Sequence, residues 1–149
     1  MKKILMVCLG NICRSPVADG LLRKKVESSG LDVLVDSCGT GGWHVGEAPD
    51  PRSQENALKN GLDISMLRAR QIQVSDLEEY DHIYCMDKSN LHDVLALATS
   101  EEQRMKVSLM LNNSHPDQNK DVPDPYFGGS DGFQKVFDLL DQACDSIIQ

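Results

Sequence analysis

The chain of 149 residues lacks an excess of basic residues: 15 Lys and Arg stand against 23 Asp and Glu, giving a net charge of −8. Nucleic-acid binding calls for a basic surface, so we expect no nucleic-acid partner. The chain also lacks a long hydrophobic run, which argues against membrane insertion. Met1-Lys2-Lys3 and the apolar residues after it resemble the start of a signal peptide, but this apolar part is too short for one.

The five cysteines are an odd number and contain no Cys-x2-Cys pair. Neither a disulfide framework nor a zinc site is therefore predicted. Together with the missing signal peptide, this favours the reducing cytoplasm. The sequence shows no internal repeats, low-complexity tracts or linkers. Its length fits a single domain over residues 1–149, which we expect to be a monomer.

The pattern of apolar residues predicts alternating strands and helices. The predicted strands are residues 3–8, 31–37, 80–86 and 105–111, and the predicted helices are residues 16–30, 51–60, 89–98 and 133–147, with a short helix beginning at Ser75. The first strand, helix and strand form a βαβ unit, which implies a right-handed crossover. The predicted fold class is α/β, a small doubly wound domain with a four-stranded parallel sheet and helices on both faces.

The stretch from Val7 to Pro16 joins the first predicted strand to the first predicted helix. Five residues separate Cys8 from Arg14, and Gly10 lies in the turn between them. The backbone amides of such a turn converge on one point, and the first helical amides add the positive end of the helix dipole. This cradle would keep Cys8 as a thiolate nucleophile, while the planar Arg14 guanidinium can grip two phosphate oxygens.

Each residue of this stretch also has a purely structural interpretation. Cys8 could be a small buried hydrophobe, and Ser15 followed by Pro16 is typical of a helix start with Ser as the N-cap. The thiol, the turn residues, the Arg and the helix start occur together within one short stretch. That combination favours the catalytic interpretation, in which sulfur attacks phosphorus.

A second candidate is Asp124, which lies between two prolines. Prolines on both sides stiffen the backbone, which is expected where a carboxylate must keep a fixed orientation in an active site. The alternative interpretation is a rigid surface turn. The loop over residues 39–52 is rich in Gly and Pro and contains the single tryptophan, Trp43. This side chain either packs on the core or lines a pocket. Its neighbour His44 is expected to be a polar loop residue.

Residues 8–16, Cys-Leu-Gly-Asn-Ile-Cys-Arg-Ser-Pro, resemble the phosphate-binding signature of the low-molecular-weight protein tyrosine phosphatases. Further segments match that family at residues 37–53, 69–72, 85–87, 89–90 and 124–126. The resemblance implies the strand order 2-1-3-4. It also implies a hydrolase that acts on phosphotyrosine-containing proteins and on small aryl phosphates, through a phosphocysteine intermediate and without a metal or an organic cofactor.

The resemblance also assigns a role to each residue of the site. Cys8 is the nucleophile, Arg14 binds phosphate, and Asp124 acts as general acid and then as general base. The phosphate-binding residues are Leu9, Gly10, Asn11, Ile12, Cys13, Arg14 and Ser15. The residues expected in the substrate pocket are Ile12, Trp43, Tyr126 and Phe127. Besides capping the helix, Ser15 is expected to help the sulfur leave, and Asn11 to shape the loop.

Two features of the site stay open. Cys13 is either a buried filler or a redox partner, whose disulfide with Cys8 would protect that sulfur from irreversible oxidation. Relatives often carry a His where this chain has Leu67, and that His contacts the loop Asn. The absence of the His puts the support of Asn11 in doubt.

The function has three alternatives. An arsenate reductase on the same fold needs additional cysteines placed to relay a disulfide, and no closely spaced downstream pair exists here. Protein-arginine phosphatases of the same fold tend to carry Thr where this chain has Ile12, so the apolar residue favours phosphotyrosine. A non-catalytic phosphate-binding module would have no need for Cys8 or Asp124.

Overall fold

The computed structural model describes residues 1–126 and 130–149, in which strands alternate with helices. The strands are β1 (Lys2–Cys8), β2 (Val33–Gly39), β3 (His82–Cys85) and β4 (Val107–Leu109). The helices are α1 (Arg14–Ser29), α2 (Pro51–Lys59), α3 (Asp76–Glu79), α4 (Lys88–Leu97), α5 (Glu101–Met105) and α6 (Ser130–Ile148). No helix in these two ranges is long and apolar enough to cross a membrane.

The four strands form one parallel sheet in the order β2-β1-β3-β4, which confirms the predicted fold class and strand order. Successive residues of β1 point to opposite faces of the sheet. Ile4 and Met6 belong to the core that α1 and α6 cover, whereas Leu5 and Val7 belong to the core beneath α3 and α4. Coverage on both faces explains why β1 is almost continuously apolar.

The chain around β4 differs from the predicted strand over residues 105–111. Its first part is helix α5, which begins after Ser100, whose hydroxyl accepts a hydrogen bond from the Gln103 amide. Two glutamates in the first turn of α5 favour a helix at this point because they complement the helix dipole. The strand itself is short, and the buried side chains of Met110 and Leu111 lie in a 3₁₀ turn.

The parallel strands end at one edge of the sheet, which is where ligands bind in such folds. Cys8 at the end of β1 pairs in register with Gly39 at the end of β2, and β3 ends beside them at Cys85. The loops that follow these strands therefore converge on Cys8.

Candidate active site

Cys8 lies at the floor of the loop that joins β1 to α1, with 2% of its surface exposed. The backbone amide of Asn11 donates to its Sγ over 3.2 Å, and the Ser15 hydroxyl lies 3.0 Å from the same sulfur. One backbone amide and one hydroxyl thus lie within hydrogen-bond distance of the sulfur and hold it at the floor of the loop. Ser15 does not cap α1, contrary to prediction, because the helix begins at Arg14 with Cys13 as its N-cap, and the Ser15 hydroxyl contacts Cys8.

Asn11 gives this loop its shape, since its backbone adopts the left-handed conformation with φ of 59°. Its side-chain Oδ1 accepts a hydrogen bond from the Arg70 amide over 3.0 Å, and its Nδ2 donates to the hydroxyls of Ser15 and Ser37. Leu67, where relatives often have a His, packs against the hydrophobic core. The other contacts therefore support Asn11, and the doubt raised by Leu67 is removed.

The loop packs tightly against the end of β2. A side chain at Gly39 would place its Cβ 2.7 Å from the carbonyl oxygen of Leu9, so only glycine permits this approach. The Thr40 amide donates to the Cys8 carbonyl over 3.0 Å, and the Gly41 amide donates to Leu9 over 2.9 Å. These backbone contacts hold the loop from outside the cavity and leave its other face open to a ligand.

Arg14 is the first residue of α1 and is 3% exposed. Its Nη1 donates to Asp87 Oδ2 over 2.6 Å and to the Val122 carbonyl over 3.0 Å. Burial alone would lower the pKa of Arg14, but the neighbouring Cys8, Asp87 and Asp124 raise the pKa above its ordinary value. The guanidinium therefore stays protonated, and its hydrogen bonds to Asp87 and Val122 fix its orientation.

Asp124 reaches the same site from the loop that precedes α6. Its Oδ2 lies 3.6 Å from Arg14 Nη2, and its Oδ1 accepts a hydrogen bond from the Tyr126 amide over 3.0 Å. The side chain is 38% exposed, so it can exchange protons with solvent. The carboxylate between two prolines thus caps its own turn with one oxygen and reaches Arg14 of the Cys8 loop with the other.

These side chains share one cavity of about 190 Å³. Its lining consists of Cys8, Leu9, Gly10, Ile12, Cys13, Arg14, Trp43, His44, Asp124 and Tyr126. Trp43 remains 72% exposed, and its ring lies so close to Gly41 that a Cβ there would overlap it. Trp43 is therefore a wall of the pocket and not a core residue. Phe127, which was also predicted for this pocket, lies outside the described residues.

The comparison with known families agrees with this arrangement of side chains. A family model described as low molecular weight phosphotyrosine protein phosphatase matches residues 3–149. The chain belongs to that family. The family suggested by the sequence motifs is therefore confirmed.

Similar members of this phosphatase family come from distant organisms. The low molecular weight phosphotyrosine protein phosphatase of Schizosaccharomyces pombe is 47% identical over 134 residues, which are 88% of this chain and 85% of the relative. A protein tyrosine phosphatase structure from Entamoeba histolytica has a TM-score of 0.93 and 34% identity, covering 99% of this chain and 95% of that one. A Drosophila arginine phosphatase structure has a TM-score of 0.91 and 32% identity, covering 100% and 96%.

In this phosphatase, Asp87 is a site residue to which the sequence analysis assigned no role. One carboxylate oxygen accepts the Arg14 hydrogen bond, and the other caps α4 by accepting from the Asn90 amide over 2.8 Å. A sequence signal existed, because an Asp directly after a predicted strand and before a predicted helix is a typical N-cap. Its contact with an Arg far away in sequence could not be read from that pattern.

Replacing Asp87 by Asn separates these two roles. Asn is as good an N-cap as Asp, so we expect the melting temperature to change little. The loss of the charged partner of Arg14 should lower kcat/KM for an aryl phosphate roughly tenfold. Asp87→Ala should lower both the activity and the stability, the latter by about 0.5–2 kcal/mol. An unchanged kcat/KM in Asp87→Asn would show that Arg14 needs no such anchor.

Arg52, near the start of α2, connects the two loops at the mouth of the phosphatase pocket. Its guanidinium lies 5.2 Å from the centre of the Tyr126 ring and 4.9 Å from that of Phe133, and its Nη1 donates to the Tyr126 carbonyl. Asp50 holds the same guanidinium at 2.9 Å. These contacts link the segment that carries Asp124 to the loop before α2, a connection that sequence analysis missed.

The other cysteines of this phosphatase are buried. Burial, helped by the charge of Asp50, raises the pKa of the Cys13 thiol to about 12. Burial also raises the pKa values of Cys38, Cys85 and Cys144. Cys13 nevertheless lines the same cavity as Cys8, so its redox role stays a prediction.

His44 also lines the pocket, although it was expected to be a polar loop residue only. Its Nδ1 lies 2.6 Å from Glu47 Oε2, and its ring lies against Gly10 of the phosphate-binding loop. Within residues 1–126 and 130–149, no three His, Cys, Asp or Glu side chains are arranged to hold a metal ion.

Proposed function

We propose that this protein is a cysteine-dependent protein tyrosine phosphatase that hydrolyses phosphotyrosine and small aryl phosphates through a phosphocysteine on Cys8. The observation that carries the proposal is the meeting of three groups in one cavity. The Cys8 sulfur lies at its floor, where it accepts a hydrogen bond from the Asn11 amide, the Arg14 guanidinium is held beside it, and the Asp124 carboxylate reaches the cavity from another loop. Family membership supports the same reaction.

In the first step, the Cys8 thiolate attacks phosphorus in line with the bond to the tyrosyl oxygen. An S–P bond forms while the P–O bond breaks, and Asp124 protonates the leaving oxygen as a general acid. The backbone amides of residues 9–15 and the free side of the Arg14 guanidinium bind the three equatorial oxygens. These donors are fixed before the reaction, so they stabilise the spread charge of a loose transition state.

In the second step, water hydrolyses the phosphocysteine. Asp124, now ionised, removes a proton from the attacking water, an O–P bond forms and the S–P bond breaks. The Ser15 hydroxyl, 3.0 Å from Sγ, is placed to stabilise the sulfur as it leaves as a thiolate. No step requires a metal or an organic cofactor, because the amides and Arg14 supply the positive charge.

The pocket wall favours an aromatic substrate. Trp43 and Tyr126 provide exposed rings at the cavity mouth, and the apolar Ile12 lies in the loop beneath them. Rings of this kind stack on the phenyl group of phosphotyrosine.

Purified protein should therefore hydrolyse p-nitrophenyl phosphate and phosphotyrosine. It should not act on phosphoarginine or reduce arsenate in the presence of a thiol. A preference for phosphoarginine or arsenate in this panel would replace the proposed function with one of the alternatives.

We further propose that Cys13 protects Cys8 from oxidation. Peroxide would convert the Cys8 thiolate to a sulfenic acid, and the Cys13 thiolate would then displace hydroxide, which leaves as water, to form the Cys8–Cys13 disulfide. After peroxide and then dithiothreitol, the wild type should recover its activity, whereas Cys13→Ser should not. Because the pKa of Cys13 is raised to about 12, its thiolate is scarce at neutral pH, and disulfide formation should accelerate as the pH rises.

Mass spectrometry of the peroxide-treated protein checks this directly, by the loss of two hydrogens from the peptide that contains Cys8 and Cys13. Cys85→Ser is the matched control, because that thiol is buried in the other core. Equal recovery of the wild type and Cys13→Ser would contradict the redox role and leave Cys13 as a buried filler.

We propose that residues 1–149 act as a single-domain monomer on phosphotyrosine-containing proteins of the cytoplasm. The two cores share one continuous sheet, which supports a single folding unit. Light scattering after size-exclusion chromatography tests the monomer, and a molar mass of twice 16.5 kDa would contradict it.

A further inference from the structure

Arg52, in the first turn of α2, uses all three of its guanidinium nitrogens as donors. Its Nε and Nη2 donate to the two carboxylate oxygens of Asp50 over 3.1 and 2.9 Å, in the bidentate geometry that a planar guanidinium permits. Its Nη1 donates to the Tyr126 carbonyl over 3.0 Å. Although 47% of the side chain is exposed, hydrogen bonds at three nitrogens fix its orientation.

Two aromatic rings lie beside the same guanidinium. Its carbon Cζ is 5.2 Å from the centre of the Tyr126 ring and 4.9 Å from the centre of the Phe133 ring, and each ring attracts the cation. Phe133 is buried near the start of α6. Arg52 therefore contacts both the backbone and the ring of Tyr126, next to a buried residue of the neighbouring helix.

Asp50 connects this guanidinium to the phosphate-binding loop. The Asp50 amide donates to the Ile12 carbonyl over 2.8 Å, and the Asp50 carboxylate caps α2 by accepting a hydrogen bond from the Arg52 amide over 2.8 Å. Hydrogen bonds from Arg52 lower the pKa of Asp50, so the pair stays charged at neutral pH. The pair is thus anchored on the loop that carries the nucleophile.

Asp124 lies midway between two points at which its segment is fixed. Before it, the Val122 carbonyl accepts a hydrogen bond from Arg14 over 3.0 Å. After it, the Tyr126 carbonyl accepts the hydrogen bond from Arg52. The Asp124 side chain is 38% exposed and lies 3.6 Å from Arg14, which is too far for a good hydrogen bond. The position of this carboxylate therefore depends on the two fixed points.

Tyr126 passes the effect of Arg52 on to the carboxylate. The Tyr126 amide donates to Asp124 Oδ1 over 3.0 Å, while the Tyr126 carbonyl accepts from Arg52. If the backbone at Tyr126 moves, the hydrogen bond that orients Asp124 moves with it. A general acid must lie within hydrogen-bond distance of the oxygen that it protonates, and a shift of about 1 Å is enough to slow such a reaction.

We propose that Arg52 is a positioning residue for the general acid Asp124. Anchored on Asp50, its guanidinium holds Tyr126 in place, and the Tyr126 amide keeps the Asp124 carboxylate directed at the cavity. The proposal rests on the proposed function, because it concerns the acid of that reaction. In the part of the chain that the structure describes, Arg52 is not among the residues that line the cavity, so it acts on the reaction through Asp124.

Two other roles for Arg52 predict different results. If Arg52 binds an anionic group of the substrate, its loss raises KM and leaves kcat unchanged. If Arg52 only stabilises the start of α2, its loss lowers the melting temperature, and any loss of kcat is the same whether or not residue 124 is an acid. The positioning role predicts a loss of kcat that disappears once the acid has been removed.

The experiment compares Arg52→Met, Asp124→Asn and the double variant with the wild type. Met keeps an apolar stem but has no donor, so the hydrogen bonds to Asp50 and Tyr126 are both lost. We would measure kcat and KM for phosphotyrosine, and the hydrogen–deuterium exchange of the peptide that contains residues 122–126. Exchange requires no turnover, so it tests the contact of Arg52 with this segment even if the proposed function fails.

Arg52→Met should lower kcat roughly three- to tenfold, the value of one hydrogen bond, with a smaller change in KM. In the Asp124→Asn background, the same substitution should change kcat by less than about twofold, because no acid is left to position. Exchange over residues 122–126 should be faster in Arg52→Met than in the wild type. Arg52→Lys keeps the charge but not the planar, bidentate geometry, so it should restore only part of kcat.

Lys59→Met is the matched control. Lys59 lies at the other end of α2 and pairs with Glu55 over 3.7 Å on the exposed surface, so its loss should leave kcat and exchange at the wild-type values. The proposal is overturned if Arg52→Met lowers kcat by the same factor in both backgrounds. It is also overturned if Arg52→Met leaves kcat or the exchange unchanged. A wild type that hydrolyses no phosphotyrosine would instead contradict the proposed function, and the exchange alone would then show whether Arg52 holds the segment.

Discussion

Replacing Cys8 by Ser is expected to lower the turnover of p-nitrophenyl phosphate by at least about 10⁴-fold, because no other group in the cavity can form the covalent intermediate. A serine hydroxyl has nearly the same size, so the loop should keep its shape. At neutral pH, however, a serine hydroxyl keeps its proton and is a far weaker nucleophile than a thiolate. Steady-state kinetics with the purified variant measure the loss.

The same variant should still bind phosphate. The loop amides and Arg14 do not depend on sulfur, so inorganic phosphate should continue to raise the melting temperature of Cys8→Ser. A control substitution at Cys85, which is buried in the core on the other side of the sheet, should leave turnover near the wild-type value. Appreciable turnover by Cys8→Ser would mean that another nucleophile, or water acting directly, attacks the phosphate.

Replacing Asp124 by Asn is expected to lower kcat for phosphotyrosine by about 10²–10⁴-fold, the usual contribution of a general acid. The loss should be smaller for p-nitrophenyl phosphate, whose leaving oxygen needs protonation less. The ratio between the two substrates therefore reports the acid role itself, because a merely distorted loop would reduce both rates equally.

Asp121→Asn provides the matched control for this loop. Asp121 lies three residues before Asp124 but is exposed and pairs with Lys88 over 3.0 Å, so its substitution should leave the substrate ratio unchanged. A wild-type kcat of Asp124→Asn on phosphotyrosine would contradict the assignment of the general acid.

The sequence predicted the parts of this protein that depend on local pattern. The apolar run of β1, the loop between Cys8 and Arg14 and the amphipathic helix α6 each produce a signal within a few neighbouring residues. A parallel sheet with covered faces follows from such elements in alternation. The strand order came from the family resemblance, since nothing in the pattern of a single strand specifies its neighbour.

The parts that sequence analysis missed depend on contacts between distant residues. Asp87 anchors Arg14 from 73 positions away, and Arg52 contacts the Tyr126 carbonyl from 74 positions away. Ser15 was predicted both to cap α1, because Ser-Pro is common at helix starts, and to assist the sulfur, as the family resemblance implied; only its contact with the sulfur seven residues earlier is found. A local preference was overridden at this position by a partner that only the folded chain supplies.

Helix α5 shows a second reason why part of the structure was predicted incorrectly from the sequence. The apolar residues over 105–111 were interpreted as one strand, but they belong to a helix end, a three-residue strand and a 3₁₀ turn. Short apolar runs do not distinguish these states, because all of them bury the same side chains.

The central claim, that sulfur carries the phosphoryl group, is tested most directly by trapping the intermediate. The enzyme is mixed with ³²P-labelled phosphotyrosine substrate, quenched with acid within the first turnovers and digested for peptide mapping. The account predicts label bound through sulfur to the peptide that contains Cys8, with none bound in Cys8→Ser. Label on another residue, or rapid hydrolysis by Cys8→Ala, would contradict it.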